Sequence, residues 1–422
     1  MSAFKFVLNE LKFSAKDRTL LLWMAVVLGL SSLSVGFGLS EVHSQKKVIE
    51  NLIVSDRQDR IAEQGKLSDW GSAAYYNFHL TYNSPSGFAF AALGQRDEQP
   101  WKHRIRMLAL EGQIYERDVG NPSVTLIGRF DFSFLASFVL PLVLIVLLYD
   151  LRASERTAGR YNLLESTAAR PASLWRLRAL IRVSAVSMCL LIPLVFAGWF
   201  AETDFLTLLS ASTIVLAYAI FWSLVCYCFS AWRKSGSVIL MTLIGIWSVT
   251  AIVIPASARL IVDRTVALPS GADILMLQRE AVNDAWDLPK DATMKPFFER
   301  HPQWAHYQPE KSAFEWQWFF AFQQVGDQKT EALANAYRDG RLQRDHIAAW
   351  VSLIAPPSLL ERSLQSLANT DFNASNRYES EVRAFHRKLR EYYYPKFFNH
   401  EAFDKAALER LPEFNSGAQA AQ

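Results

Sequence analysis

Five long apolar runs divide the chain: Thr19 to Leu39, Phe132 to Tyr149, Val183 to Phe200, Leu206 to Phe229 and Ser237 to Ala256. None contains Asp, Glu, Lys, Arg or His. At 1.5 Å of rise per residue, runs of this length cross a hydrocarbon core of about 30 Å as helices. The first is longer than the apolar stretch of a cleaved leader, about 7 to 15 residues, so it reads as an uncleaved anchor. Ahead of it, Phe4, Val7, Leu8 and Leu11 share one helical face, and Lys5, Asn9, Lys12 and Lys16 take the other. Residues 1–18 therefore read as a helix lying in a headgroup layer.

Lys and Arg in short flanks set orientation, because such loops resist translocation. Lys5, Lys12, Lys16 and Arg18 precede the first span. Arg152, Arg156, Arg160, Arg170, Arg176, Arg178 and Arg182 lie between the second and third, and Arg233 and Lys234 between the fourth and fifth. The remaining short link, Ala201 to Asp204, is acidic. The N-terminus and residues 150–182 are expected in the cytosol, with residues 40–131 and 257–422 outside. In the first outer segment, Val42, Ile49, Leu52, Ile53 and Ile61 continue the first span as an amphipathic helix; the mixed sequence beyond has no readable fold. In the second, helical periodicity runs through Asp273 to Trp286, Phe314 to Tyr337, Ser358 to Leu367 and Tyr378 to Tyr394, broken by Pro289, Pro302 and the pair Pro356 and Pro357. Asn415 to Gln422 reads as a frayed tail. The expected fold is an all-α polytopic membrane protein with about five transmembrane helices and two large, mainly helical extracytoplasmic segments.

Composition agrees with this mosaic. Of 422 residues 51% are hydrophobic and 20% charged, and mean hydropathy is only +0.06. A net charge of +3 with interspersed signs offers no basic stripe for nucleic acid, which is excluded as a partner. Cys189, Cys226 and Cys228 all lie within apolar runs, so the outer segments have no disulfide to form. Cys226 and Cys228, two apart on a helix, point to nearly opposite faces and do not chelate together.

Catalytic and metal-ligating sets are not found. A phosphate-binding loop is absent; Gly65, Lys66 and Leu67 lack its first glycine and its hydroxyl. His301 and His306 are not a one-face helical pair, and no metal is assigned to them. Charge-free spans disfavour an ion-coupled transporter, which carries intramembrane relays. Ser32 with Gly36, and Ser34 with Gly38, are small steps that permit close packing. Pro141, Pro193 and Pro255 are either moving kinks or tolerated bends.

The most specific stretch runs from Asp150 to Ser166, with Glu155, Gly159, Leu163, Leu164 and Ser166 in the pattern E-x-x-x-G-x-x-x-L-L-x-S. On one continuous helix Arg152, Arg156 and Arg160 stack at i, i+4 and i+8, a repulsive ladder that an acidic partner, anionic lipid or orientation alone explains.

Glu155, Gly159, Leu163 and Leu164 resemble the segment after the second span in permease subunits of type-2 ABC exporters. That resemblance implies that Arg152, Glu155, Arg156, Gly159, Arg160, Leu163 and Leu164 couple to a separate ATPase, and that Phe4 to Lys16 form an elbow helix. It implies ABC ATPase subunits as partners, a homodimer or paralogous permease pair, contact with membrane lipids, and a bacterial inner-membrane location. ATP and Mg would be bound by the partner, leaving this chain without a cofactor or catalytic residues. The chain is also similar to a subgroup with large extracytoplasmic domains of unknown function. Gly94 to Asp97 with Pro100, Asn121 and Pro122, Gly128 to Asp131, and Leu140 to Leu142 carry the likeness. So do Leu367 to Asp371, Phe385, Pro395 and Leu411 to Phe414, all in the same order. That subgroup normally has a sixth span after the last motif, whereas five are expected here. Substrate-binding residues are not readable. A membrane-anchored sensor or scaffold is the alternative function.

Overall fold

A computed structural model of the protein describes residues 3–97, 99–115, 130–167, 171–310 and 314–415. The motif residues Asn121, Pro122, Gly128 and Arg129, the loop residue Arg170 and the tail from residue 416 lie outside these described residues.

An N-terminal helix, Ala3–Ser14, leads into a 47-residue helix, Arg18–Gln64. Asp17 starts the long helix by accepting the amide N–H groups of Thr19 and Leu20, which have no partner inside the first turn. At 1.5 Å per residue it is a rod of about 70 Å, more than twice the thickness of a membrane core. Its second half stays helical because one face is covered: Val42, Gln45, Ile49 and Asp56 are buried at steps of three, four and seven residues. The amphipathic helical continuation of the first span expected from the sequence is thus present, with Val42 and Ile49 on the covered face and Ile61 exposed.

Five helical stretches are long and apolar enough to cross a membrane: Arg18–Glu63, Phe132–Thr157, Ala172–Phe200, Phe205–Ser230 and Gly236–Thr265. They run up and down, and the second lies at the centre, with 67% of its apolar window buried against 17% in the fifth. Span one is locked to span three where Ser31 Oγ donates to the Leu190 carbonyl at 2.7 Å. The prolines differ in effect. Wide π turns, Leu135–Val139 and Val249–Val253, stand immediately ahead of Pro141 and Pro255, where a ring without an N–H displaces the regular ladder. Pro193 sits inside the unbroken helix Pro171–Phe200. Of the small pairs, Ser34 and Gly38 face inward, and Ser32 and Gly36 face away from the chain. Gly38 abuts the backbone of Phe90 rather than another helix.

The two polar segments share one core and form a single lobe at the far end of the spans, opposite the N-terminus. Trp70, Ile105 and Met107 from the first pack with Phe297, Phe320, Tyr393 and Phe397 from the second. Five helices of the second segment frame the lobe: Gly271–Asp287, Lys290–Arg300, Trp316–Ser352, Pro356–Leu367 and Phe372–Phe398. All four expected helices outrun their limits, Trp316–Ser352 and Phe372–Phe398 by more than a helical turn, and Lys290–Arg300, with Pro296 inside it, is not expected from periodicity at all. The all-α expectation also needs one correction, although the described chain is mostly helical. His79–Tyr82 pairs antiparallel with Lys102–Ile105, His79 opposite Ile105 and Tyr82 opposite Lys102. Strands of four residues are too short to show a period of two against their surroundings.

Candidate functional site

At the near end, the chain leaves span two and forms two short helices, Ala153–Thr157 and Tyr161–Thr167. Gly159 separates them in the left-handed region, φ 70°, which favours glycine; an added Cβ would meet nothing within 4 Å, so conformation and not space requires the glycine. This break overturns the expected ladder of arginines. Arg152 is buried, reaching Ser230 Oγ at 3.3 Å and lying 4.5 Å over the Tyr227 ring. Arg156 donates to the Trp232 carbonyl at 2.5 Å, and Arg160 Nε to Glu155 at 2.8 Å. Two of the three therefore fasten span two to the end of span four, and the third folds back on Glu155.

Glu155 is the hinge of a further network. Its other oxygen accepts from Arg178 at 3.3 Å, and Arg178 also donates to Glu10 of the N-terminal helix at 3.0 Å. Tyr161 stacks on Trp175, 5.7 Å away with planes 12° apart, and Leu164 packs against the span core. Leu163 points the other way and is 63% exposed. An apolar side chain held outward on a rigid mount, beside a charged surface, suits a protein contact. In the sequence Arg178 reads only as a topological charge, and no pattern there marks Glu10, Tyr161 or Trp175.

The far end is joined through residues 86–93. This segment is expected in the outer domain, yet residues 88–93 are buried among the spans. Thr203 Oγ donates to the Gly87 carbonyl at 2.7 Å, Ser133 N to Ala91 at 2.9 Å, and Thr370 Oγ to Ala92 at 2.8 Å. Asp131, which caps span two by accepting from Phe134 N, also accepts from Leu93 N at 3.0 Å. Helix Pro356–Leu367 then lies across both π turns and span four, inserting Leu360 and Leu364 into the span core. Several motif pieces meet here: Gly94 (φ 52°) packs on Thr370, and Asp371 caps helix Phe372–Phe398.

Glu361 belongs to this junction. Burial, with the Asp131 carboxylate nearby, lifts its carboxyl to about 7. An acid whose folded pKa is raised favours the fold while protonated, so stability present at low pH is lost as pH rises from about 4.5 through about 7. Glu361→Gln removes that loss. The variant is expected to match the parent near pH 5 and to exceed it by on the order of 2 kcal/mol at pH 8. Thermal melting across this range checks the prediction; parallel profiles for the two proteins contradict it.

His301 accepts or donates a bond with Gln324 at 2.8 Å, and His306 is exposed. Among the described residues no group of three or more His, Cys, Asp or Glu is placed to hold a metal ion. Residues 273–416, which begin within the first helix after span five, match the family described as a domain of unknown function, DUF3526. No curated protein matches the chain, and no solved structure does.

Proposed function

We propose that this chain is the membrane-spanning permease subunit of an ATP-driven ABC exporter in a bacterial inner membrane. Its N-terminus and residues 150–182 face the cytosol, and the lobe faces the periplasm. ATP and Mg are bound by a separate ATPase subunit, and the permease works as a homodimer or with a paralogue. The observation that carries this reading is the mount at Glu155 to Leu164: Leu163 is exposed on a unit pinned to spans two, three and four and to the N-terminal helix. A push received there reaches the buried second span directly. That span ends at Asp131, beneath residues 86–93 and helix Pro356–Leu367, so its displacement is delivered to the lobe.

Leu163→Glu is expected to abolish stimulation of the partner ATPase, roughly tenfold or more, because a charge is desolvated at the contact. The exposed position predicts an unchanged melting temperature. Copurification with a Walker-motif ATPase and its turnover in proteoliposomes measure this. A chain that never associates with such an ATPase, or leaves its turnover unaltered, is a sensor or scaffold instead.

A further inference from the structure

A cleft of about 560 Å³ opens between the two longest helices of the lobe, within the size range of small-molecule sites. Helix Trp316–Ser352 turns Gln324, Asp327, Gln328, Glu331 and Arg338 toward it, a spacing that keeps them on one face. Helix Phe372–Phe398 answers with Arg383, His386, Arg387, Arg390 and Tyr394. Two polar stripes facing each other reverse the usual arrangement, in which neighbouring helices meet through apolar faces. His301 and Trp304 close one end, and Glu111 lies in the lining between the helices.

The charges form a frame. Arg383 makes a two-point pair with Glu111 at 2.8 and 3.0 Å, Arg390 meets Asp327, and Arg300 meets Glu331. Arg387 adds a fifth arginine to Arg300, Arg338, Arg383 and Arg390, against four carboxylates, Glu111, Asp327, Glu331 and Glu391. Burial lowers the pKa of His301 and His386, and the five arginines against four carboxylates by themselves leave the lining a positive excess.

Three buried atoms of this lining have no protein partner: Arg390 Nε, Gln328 Nε2 and Gln324 Oε1. Gln324 is only 7% exposed, and its other amide atom is already engaged by His301. Buried polar atoms are normally satisfied, so two donors and one acceptor left over in one cleft describe the polar groups of an occupant. It must bring anionic or hydroxyl oxygens to the donors and a hydroxyl to Gln324. Trp304 and Tyr394 meet edge to face, 5.7 Å apart and 83° between planes, and Trp304 is half-buried beside the cleft. Such a corner suits the C–H face of a sugar ring.

We propose that the cleft binds a sugar acid of one or two rings, its carboxylate on Arg390 and Gln328, a hydroxyl on Gln324 and its ring against Trp304. The proposal does not depend on the permease reading.

Calorimetric titration of the full chain in detergent with D-glucuronate tests it, with D-glucose and acetate as controls. Saturable binding with a Kd below about 1 mM is expected for glucuronate, and binding at least roughly tenfold weaker for each control. Gln328→Ala stands outside the ion-pair frame and is expected to weaken glucuronate binding about tenfold without lowering the melting temperature. Trp304→Ala is expected to weaken it as much and also to lower the melting temperature, because Trp304 stacks on Phe398 at 4.9 Å. Absence of saturation by glucuronate overturns the proposal. Equal binding of glucose removes the acid, and equal binding of acetate with both variants unaffected reduces the site to a basic surface; either result overturns it.

Discussion

Asp327→Ala is expected to destabilise the lobe by about 3–5 kcal/mol, the range for removing one partner of a buried ion pair. One oxygen of Asp327 accepts from Leu110 N at 2.7 Å, Glu111 N at 3.1 Å and Gln278 Nε2 at 2.7 Å, and the other from Arg390. The carboxylate thereby caps helix Leu110–Tyr115 and ties it to three helices of the second segment. Alanine leaves a guanidinium, an amide and two backbone N–H groups unpaired where water is scarce. Asp327→Asn keeps one accepting oxygen but loses the charge, and should fall between the two. Trp286, Trp304, Trp316 and Trp318 all lie in this lobe, so tryptophan fluorescence reports its unfolding. A drop in melting temperature of roughly 10 °C is expected for Asp327→Ala. A drop of about a degree would mean that the two segments are held together elsewhere.

The spans were legible because their signal is local: a run without charges, long enough to cross, needs no knowledge of distant residues. The union of the two polar segments was not, since Asp327 and Leu110 stand 217 residues apart and neither sits in a pattern that names the other. Residues 88–93 failed for a different reason. Six apolar residues are too few to cross a membrane, and in a mixed stretch with Gly and Pro they show no readable fold, yet they complete the core that the spans leave open. Ser358 to Leu367 reads as a helix, but nothing in its own sequence says that its apolar face meets the spans.

The near-end site was half legible. Glu155, Gly159, Leu163 and Leu164 stood out as a pattern, but the arginine ladder was built on an unbroken helix, although Gly159 itself was a warning. With the helix broken there, charges assumed to repel one another instead have separate partners. The partners of Glu155 were invisible for want of proximity: Arg178 is 23 residues on, and Glu10 is 168 residues from Arg178.

Gly38→Val is the complementary expected result, at the opposite end of the spans. A Cβ at Gly38 would lie 1.9 Å from the Phe90 carbonyl oxygen and 2.8 Å from its carbon, both backbone atoms. A side chain in the way could turn aside; this segment cannot, because Gly87, Ala91, Ala92 and Leu93 are each hydrogen-bonded to different parts of the junction. Relief requires separating span one from residues 86–93, and the expected cost is about 3 kcal/mol or more. Gly38→Ala should suffer nearly as much, since the first carbon makes the clash. Gly36→Ala is the control two residues away: its Cβ would meet nothing within 4 Å, and its stability should stay within about 0.5 kcal/mol of the parent. Melting of the three variants in detergent decides the matter, and equal values for Gly38→Ala and Gly36→Ala would place the contact elsewhere. For a permease the consequence is directional: the near-end mount is far from Gly38, so ATPase association should survive while transport is lost.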